Sequence, residues 1–125
     1  MQLGLEAERL IMYLLIKNGT DARWSTDEED MFFKVDMWFP IDGGWIGIQL
    51  SIDKKEIFGE KGLIVLNRGI VPMWLNWDKL QTAVEEDDGD GLVKEFCTRV
   101  KKILDTFPNL KRFSEAKWDL TLQMK

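Results

Sequence analysis

Trp45-Ile46-Gly47-Ile48-Gln49-Leu50-Ser51-Ile52 is the most regular stretch of the chain. Ile46, Ile48, Leu50 and Ile52 fall on one side, and Trp45, Gly47, Gln49 and Ser51 on the other. That is the period of two a β-strand imposes. Immediately before it, Ile41-Asp42-Gly43-Gly44 is turn chemistry. Before that, Met31 to Phe39 is rich in aromatics and stops at Pro40, which reads as a second strand. The two runs are expected to form a β-hairpin.

Helical periodicity lies on both sides of it. Leu3, Ala7, Leu10, Ile11, Leu14 and Leu15 predict an amphipathic helix over 3–18, with Gly19 where a left-handed C-terminal residue belongs. A short extended piece is expected near Ala22 to Ser25, and Asp27 to Asp30 reads as a solvated acidic turn. Lys54 to Arg68 leans towards a helix ending at Gly69, although Gly59 and Gly62 weaken it. Ile70 to Asn76 reads as a strand that Pro72 confines to an edge or to its start. Helices are predicted over 77–86 and 92–107, the second with a stripe of Leu92, Val93, Phe96, Cys97, Val100, Ile103, Leu104 and Phe107. Trp118 to Met124 alternates like a last strand. The order predicts one α/β domain over residues 1–125, with a mixed central sheet flanked by helices.

The 125 residues are 45% hydrophobic and 31% charged, the composition of an ordinary globular domain. No apolar run approaches the roughly 18 residues of a membrane span, and no signal-peptide pattern is visible. A cytoplasmic protein without membrane attachment is therefore expected. Cys97 stands alone and there is no histidine. Ser-His-Asp and Cys-His hydrolases and His-ligated zinc sites are thereby excluded. Hydrolytic chemistry would rest on carboxylates, lysines and oxygen-ligated ions such as magnesium.

The net charge of −5 disfavours tight nucleic-acid binding, but it is unevenly spread. Residues 1–93 carry 9 basic and 18 acidic groups, and residues 94–125 carry 8 basic and 4 acidic groups. Lys94, Arg99, Lys101, Lys102, Lys111, Arg112 and Lys117 could follow a phosphate backbone, or could simply solvate a helix face. The six tryptophans could stack on bases, though packing is the commoner use of such residues.

Asp36 is the most informative polar residue. In an extended strand, residues two apart share a face at a spacing of about 6.6 Å, which would place Lys34, Asp36 and Trp38 together. On the neighbouring strand Gln49 and Ser51 form the polar row. A carboxylate in so hydrophobic a strand needs a partner or a metal, unless it lies on an exposed face.

With these residues in view, the chain resembles the PD-(D/E)XK, or restriction-endonuclease-like, nuclease superfamily. Gly4-Leu5-Glu6-Ala7-Glu8 is similar to the family's opening G-x-x-x-E helix. Lys34-Val35-Asp36-Met37-Trp38 followed by Ile46-Gly47-Ile48-Gln49-Leu50-Ser51 is similar to its Asp, spacer and (Glu/Gln)-x-Lys pattern. The likeness spans residues 3–76. It implies a restriction-endonuclease-like core and Mg2+- or Mn2+-dependent cleavage of DNA. Glu8, Asp36, Gln49 and the main-chain carbonyl of Leu50 would be the metal ligands.

Two departures accompany the resemblance. Gln49 is neutral where a carboxylate is commoner, and Ser51 replaces the motif lysine. Lys34 is the better candidate for a migrated lysine, with Lys54 and Lys55 just past the strand. The alternatives are a catalytically silent member of the fold that binds nucleic acid or protein, and an unrelated α/β interaction protein. The small size also suggests a homodimer or a protein partner, with Lys101, Lys102, Lys111 and Arg112 as the DNA-facing cations.

Overall fold

The hairpin anticipated from the alternation is the centre of the molecule. In the computed structural model, which describes residues 3–119, β2 (Met37–Ile41) and β3 (Gly44–Ser51) pair antiparallel. The register runs from Met37 opposite Ile48 to Ile41 opposite Gly44. The chain reverses through Asp42 and Gly43, and Gly43 takes the left-handed backbone, φ 82°, that a side chain resists.

β1 (Arg23–Trp24) adds antiparallel to β2, and β4 (Val71–Trp74) adds parallel to β3, giving a mixed sheet in the order β1-β2-β3-β4. Pro72 lies in β4, at the sheet edge, where its missing N–H is tolerated. The parallel step from β3 to β4 requires a crossover, supplied by α2 (Lys54–Ile57) and α3 (Glu60–Asn67). α1 (Leu3–Lys17) precedes the sheet, and α4 (Trp77–Glu85) and α5 (Gly89–Thr106) follow it.

Both faces of the sheet are covered, which divides the core in two. Met37, Phe39, Ile46, Ile48, Leu50, Val71 and Met73 pack against α1, α4 and α5 through Ile11, Leu15, Leu80, Phe96 and Val100. On the opposite face Val35 and Trp38 meet Val65 of α3, Ile70, Phe113 and Trp118. Gly47 makes room there, since a Cβ at this position would press on Val35 and the Trp38 ring. Phe113 also exchanges two backbone hydrogen bonds with Trp45, at 2.8 and 2.9 Å, and so covers the start of β3 that β4 does not reach.

Two expectations need correction. Met31 to Phe39 is not one strand: Glu29–Phe33 forms a single π-helical turn, Lys34 closes it with a left-handed φ of 61°, and β2 begins only at Met37. The crossover is not one helix but two, broken at Phe58 and Gly59. Asp53 caps the first by accepting from the amides of Lys55 and Glu56 at 3.0 and 3.2 Å. In the second, a Cβ on Gly62 would overlap the carbonyl oxygen of Ile57. Gly62→Ala is therefore expected to destabilise the fold by about 2–3 kcal/mol, read as a lower urea midpoint. An unchanged midpoint would refute this close approach. Residues 120–124 of the anticipated last strand lie outside the described residues, while Trp118 and Asp119 are irregular.

Candidate metal centre

Asp36 sits in the last step before β2, where the ladder would otherwise fray. Its amide donates to the Ile48 carbonyl at 2.8 Å, and its Oδ2 accepts the Leu50 amide at 2.7 Å. Gln49 is thus bracketed by the two backbone groups that Asp36 holds. The regular pairing set by the two-residue turn ends at Met37 opposite Ile48, and Asp36 steps out of it by donating to that same Ile48.

Two further carboxylates approach Asp36. Asp30, on the π-helical turn, shares a hydrogen bond with it, and Glu8 of α1 is near enough to repel it. Asp36 is pushed up to about 8, first by burial and then by Asp30, against the opposing pull of the Leu50 amide. Glu8 is half-buried and is raised as well, by burial and by the charge of Asp30. None of the ion pairs among the described residues involves these three acids. Like charges gathered in this way must hold protons or a cation.

The turn that delivers Asp30 is anchored by its neighbour. Glu29 is buried, and its Oε1 accepts from the Thr26 amide at 2.9 Å and from the Trp38 indole at 3.1 Å. Its Oε2 accepts from the Trp118 amide at 2.7 Å, and the Thr26 hydroxyl accepts from the Glu29 amide at 3.1 Å. Burial alone would raise this carboxyl, but these donors together hold it below its ordinary value. The expectation of a solvated turn over 27–30 fails at this residue. Thr26-Asp27-Glu28-Glu29 is a capping box, T-x-x-E, and that pattern was the available signal. Nothing in the sequence pointed to Asp30.

Lys34 does not share a strand face with Asp36, because the left-handed residue that ends the turn is not in the strand; its side chain is exposed. Ser51 accepts the Asp53 amide at 3.0 Å and ends β3 with a local turn. The basic residues of the C-terminal third are dispersed. Lys101 and Arg112 flank a cleft of about 650 Å³ with Phe39, Val100 and Leu104, and Lys102 is exposed. Lys111 lays its stem on Gly69 and its ammonium over the Trp118 ring, 4.9 Å from the centroid. Cys97 is half-buried at that cleft, and burial pushes its thiol up, as suits an unreactive side chain.

Hard oxygen donors of this kind suit magnesium or manganese. Among the described residues, however, no three His, Cys, Asp or Glu side chains are grouped so as to hold a metal ion. Asp30 and Asp36 share a hydrogen bond where an ion would have to separate them. No helix among the described residues is long and apolar enough to cross a membrane. No family model, curated protein or solved structure matches the chain.

Proposed function

We propose that the chain is a restriction-endonuclease-like domain whose Glu8, Asp36, Gln49 and Leu50 carbonyl bind magnesium or manganese for cleavage of a DNA phosphodiester. The reading is carried by one observation: Asp36 is bonded to the backbone on either side of Gln49, at Ile48 and Leu50, with the Glu8 carboxylate of α1 within electrostatic reach. The mixed sheet with helices on both faces supports it.

In this reading Asp36 and Glu8 supply the negative charge, and Gln49 contributes a neutral oxygen. The ion, when bound, would polarise the phosphate and lower the pKa of an attacking water. Asp36 would release its proton to solvent as it bound the ion, so binding would strengthen as pH rises towards 8. Leu50 keeps Asp36 oriented through its amide. Met31 and Phe32, exposed on the turn that carries Asp30, offer apolar surface on which a base could stack. Ser51 cannot replace an ammonium, and Lys34 would have to reach the phosphate from outside the strand. Turnover is accordingly expected to be slow.

The test is calorimetric titration with manganese at pH 8.5, followed by incubation with duplex, single-stranded and branched DNA with and without magnesium. Manganese binding that vanishes in Asp36→Ala, together with metal-dependent cleavage lost in the same variant, is the expected result. Binding without cleavage of any DNA favours the silent member of the fold, a reading to which the displaced Lys34 and Ser51 lend weight. A wild-type chain that takes up no manganese ends both.

A further inference from the structure

A groove of about 210 Å³ straddles the free edge of the sheet at β4, lined by Phe58, Leu63, Leu66, Pro72, Ile103 and Phe107. Its walls belong to opposite faces of the sheet. α3 packs on one face through Val65, and α5 on the other through Phe96 and Val100. We propose that this groove is the contact face of a reversible two-fold dimer, the α3 wall of each copy lying against the α5 wall of the other. None of Glu8, Asp36 and Gln49 lines it, so the dimer does not depend on the metal centre.

Exposure points to a contact. Phe58 is 67% exposed, Leu63 61% and Phe107 39%. Three large apolar side chains around one groove leave on the order of 300 Å² of apolar surface in water, the size of patch that often marks an interaction site. The groove itself is smaller than the roughly 300 Å³ at which small-molecule sites begin, and suits a side chain. An added strand is a poor occupant. The Leu75 amide donates to the Ser51 carbonyl at 2.8 Å, so the alternate residues Pro72 and Trp74 turn their backbone groups outward. Pro72 has no N–H to offer, and the Trp74 carbonyl already accepts from the Arg99 guanidinium at 3.2 Å. Charge selects a second copy. Glu60 stands one turn before Leu63 on the α3 wall, and Lys102 stands beside Ile103 on the α5 wall. Both are exposed, and no ion pair among the described residues uses either. A two-fold axis along the groove sets each α3 wall over the other copy's α5 wall, so the acid of one copy meets the base of the other, twice. Leu63 then faces Phe107 of the second copy. Interfaces are about 57% apolar, so a core of this size corresponds to roughly 500 Å² per copy, enough for a reversible dimer and too little for a permanent one.

The experiment is sedimentation velocity of the metal-free chain over a range of concentrations, with thermal melting as the check on folding. The wild type is expected to dimerise with a Kd on the order of 10–100 µM. Leu63→Glu should weaken dimerisation by about tenfold or more. Ile16→Glu places the same charge on α1, away from the groove, where the native side chain is 55% exposed, and should change it by less than about twofold. Glu60→Lys and Lys102→Glu should each weaken the dimer by about fivefold, and the double variant Glu60→Lys/Lys102→Glu should recover most of that loss. A wild type that stays monomeric up to about 500 µM overturns the proposal, in favour of a helix from another protein as the occupant. Equal losses in Leu63→Glu and Ile16→Glu overturn it as well, because another face or net charge then accounts for the association. A double variant weaker than either single reversal overturns the pairing of α3 with α5.

Discussion

Glu29→Ala is expected to destabilise the protein by about 3–5 kcal/mol, well above the ordinary effect of losing one acid. The substitution leaves the Trp38 indole N–H without its acceptor inside the smaller core, and the Trp118 amide without its own. Each buried donor stranded in this way costs about 1–3 kcal/mol, whereas the Thr26 amide can turn to water. Glu29→Gln should cost roughly half as much, because it keeps an acceptor for one side but presents an amide N–H to the other. Urea denaturation at pH 7 measures both. Its sign with pH is also fixed. A carboxyl held below its ordinary value of 4.5 adds stability above that pH and loses it as pH falls through the lowered value. A Glu29→Ala variant within 1 kcal/mol of wild type would mean that water reaches this carboxylate.

Asp36→Asn should act in the opposite direction. The carboxyl moves from 3.8 to about 8 on folding, so the folded chain holds a proton that the unfolded chain releases between those values. Stability is therefore complete below about pH 4, falls as pH rises towards 8, and is level above it. Asn retains an oxygen for the Leu50 amide and has no charge to bury. At pH 9 the variant is expected to be more stable than the metal-free wild type, on the order of 2 kcal/mol after allowance for partial solvent access. That corresponds to about 5 °C in melting temperature. Added manganese should reverse the ranking, raising the melting point of the wild type at pH 8.5 but not that of the variant. Melting curves from pH 5 to 9, with and without manganese, check both halves. A variant that melts below the metal-free wild type at pH 9 would show the Asp36 anion to be stabilised by its surroundings.

The sequence made some of this legible for definite reasons. Ile46, Ile48 and Leu50 alternate because one face of β3 lies on the large core, and a two-residue turn then dictates what stands opposite what. The placing of Met37 opposite Ile48, and so of Asp36 at the end of the ladder, follows from that alone. The anticipated helices at 3–18, 77–86 and 92–107 match the observed ones within a few residues, each with a one-sided apolar stripe. Met31-Phe32-Phe33 misled, because a short apolar run does not distinguish a strand from a helical turn. The capping box upstream decides for the turn, and Lys34 then leaves the helix by the left-handed region. That exit removes Lys34 from the face of Asp36. Asp30 was hidden for a different reason: its approach to Asp36 depends on the extra residue of the π turn, which no periodicity announces.

The bond from the Trp118 amide to Glu29 joins residues 89 positions apart. During synthesis the ribosome releases Glu29 long before its last donor exists. Until that donor emerges, the turn bearing Asp30 has a half-satisfied anchor and an open second face beneath it. The anchor of the turn is thus completed only by a residue 89 positions later. A nascent or trimmed polypeptide would carry all of its acids yet lack the clasp that aligns them.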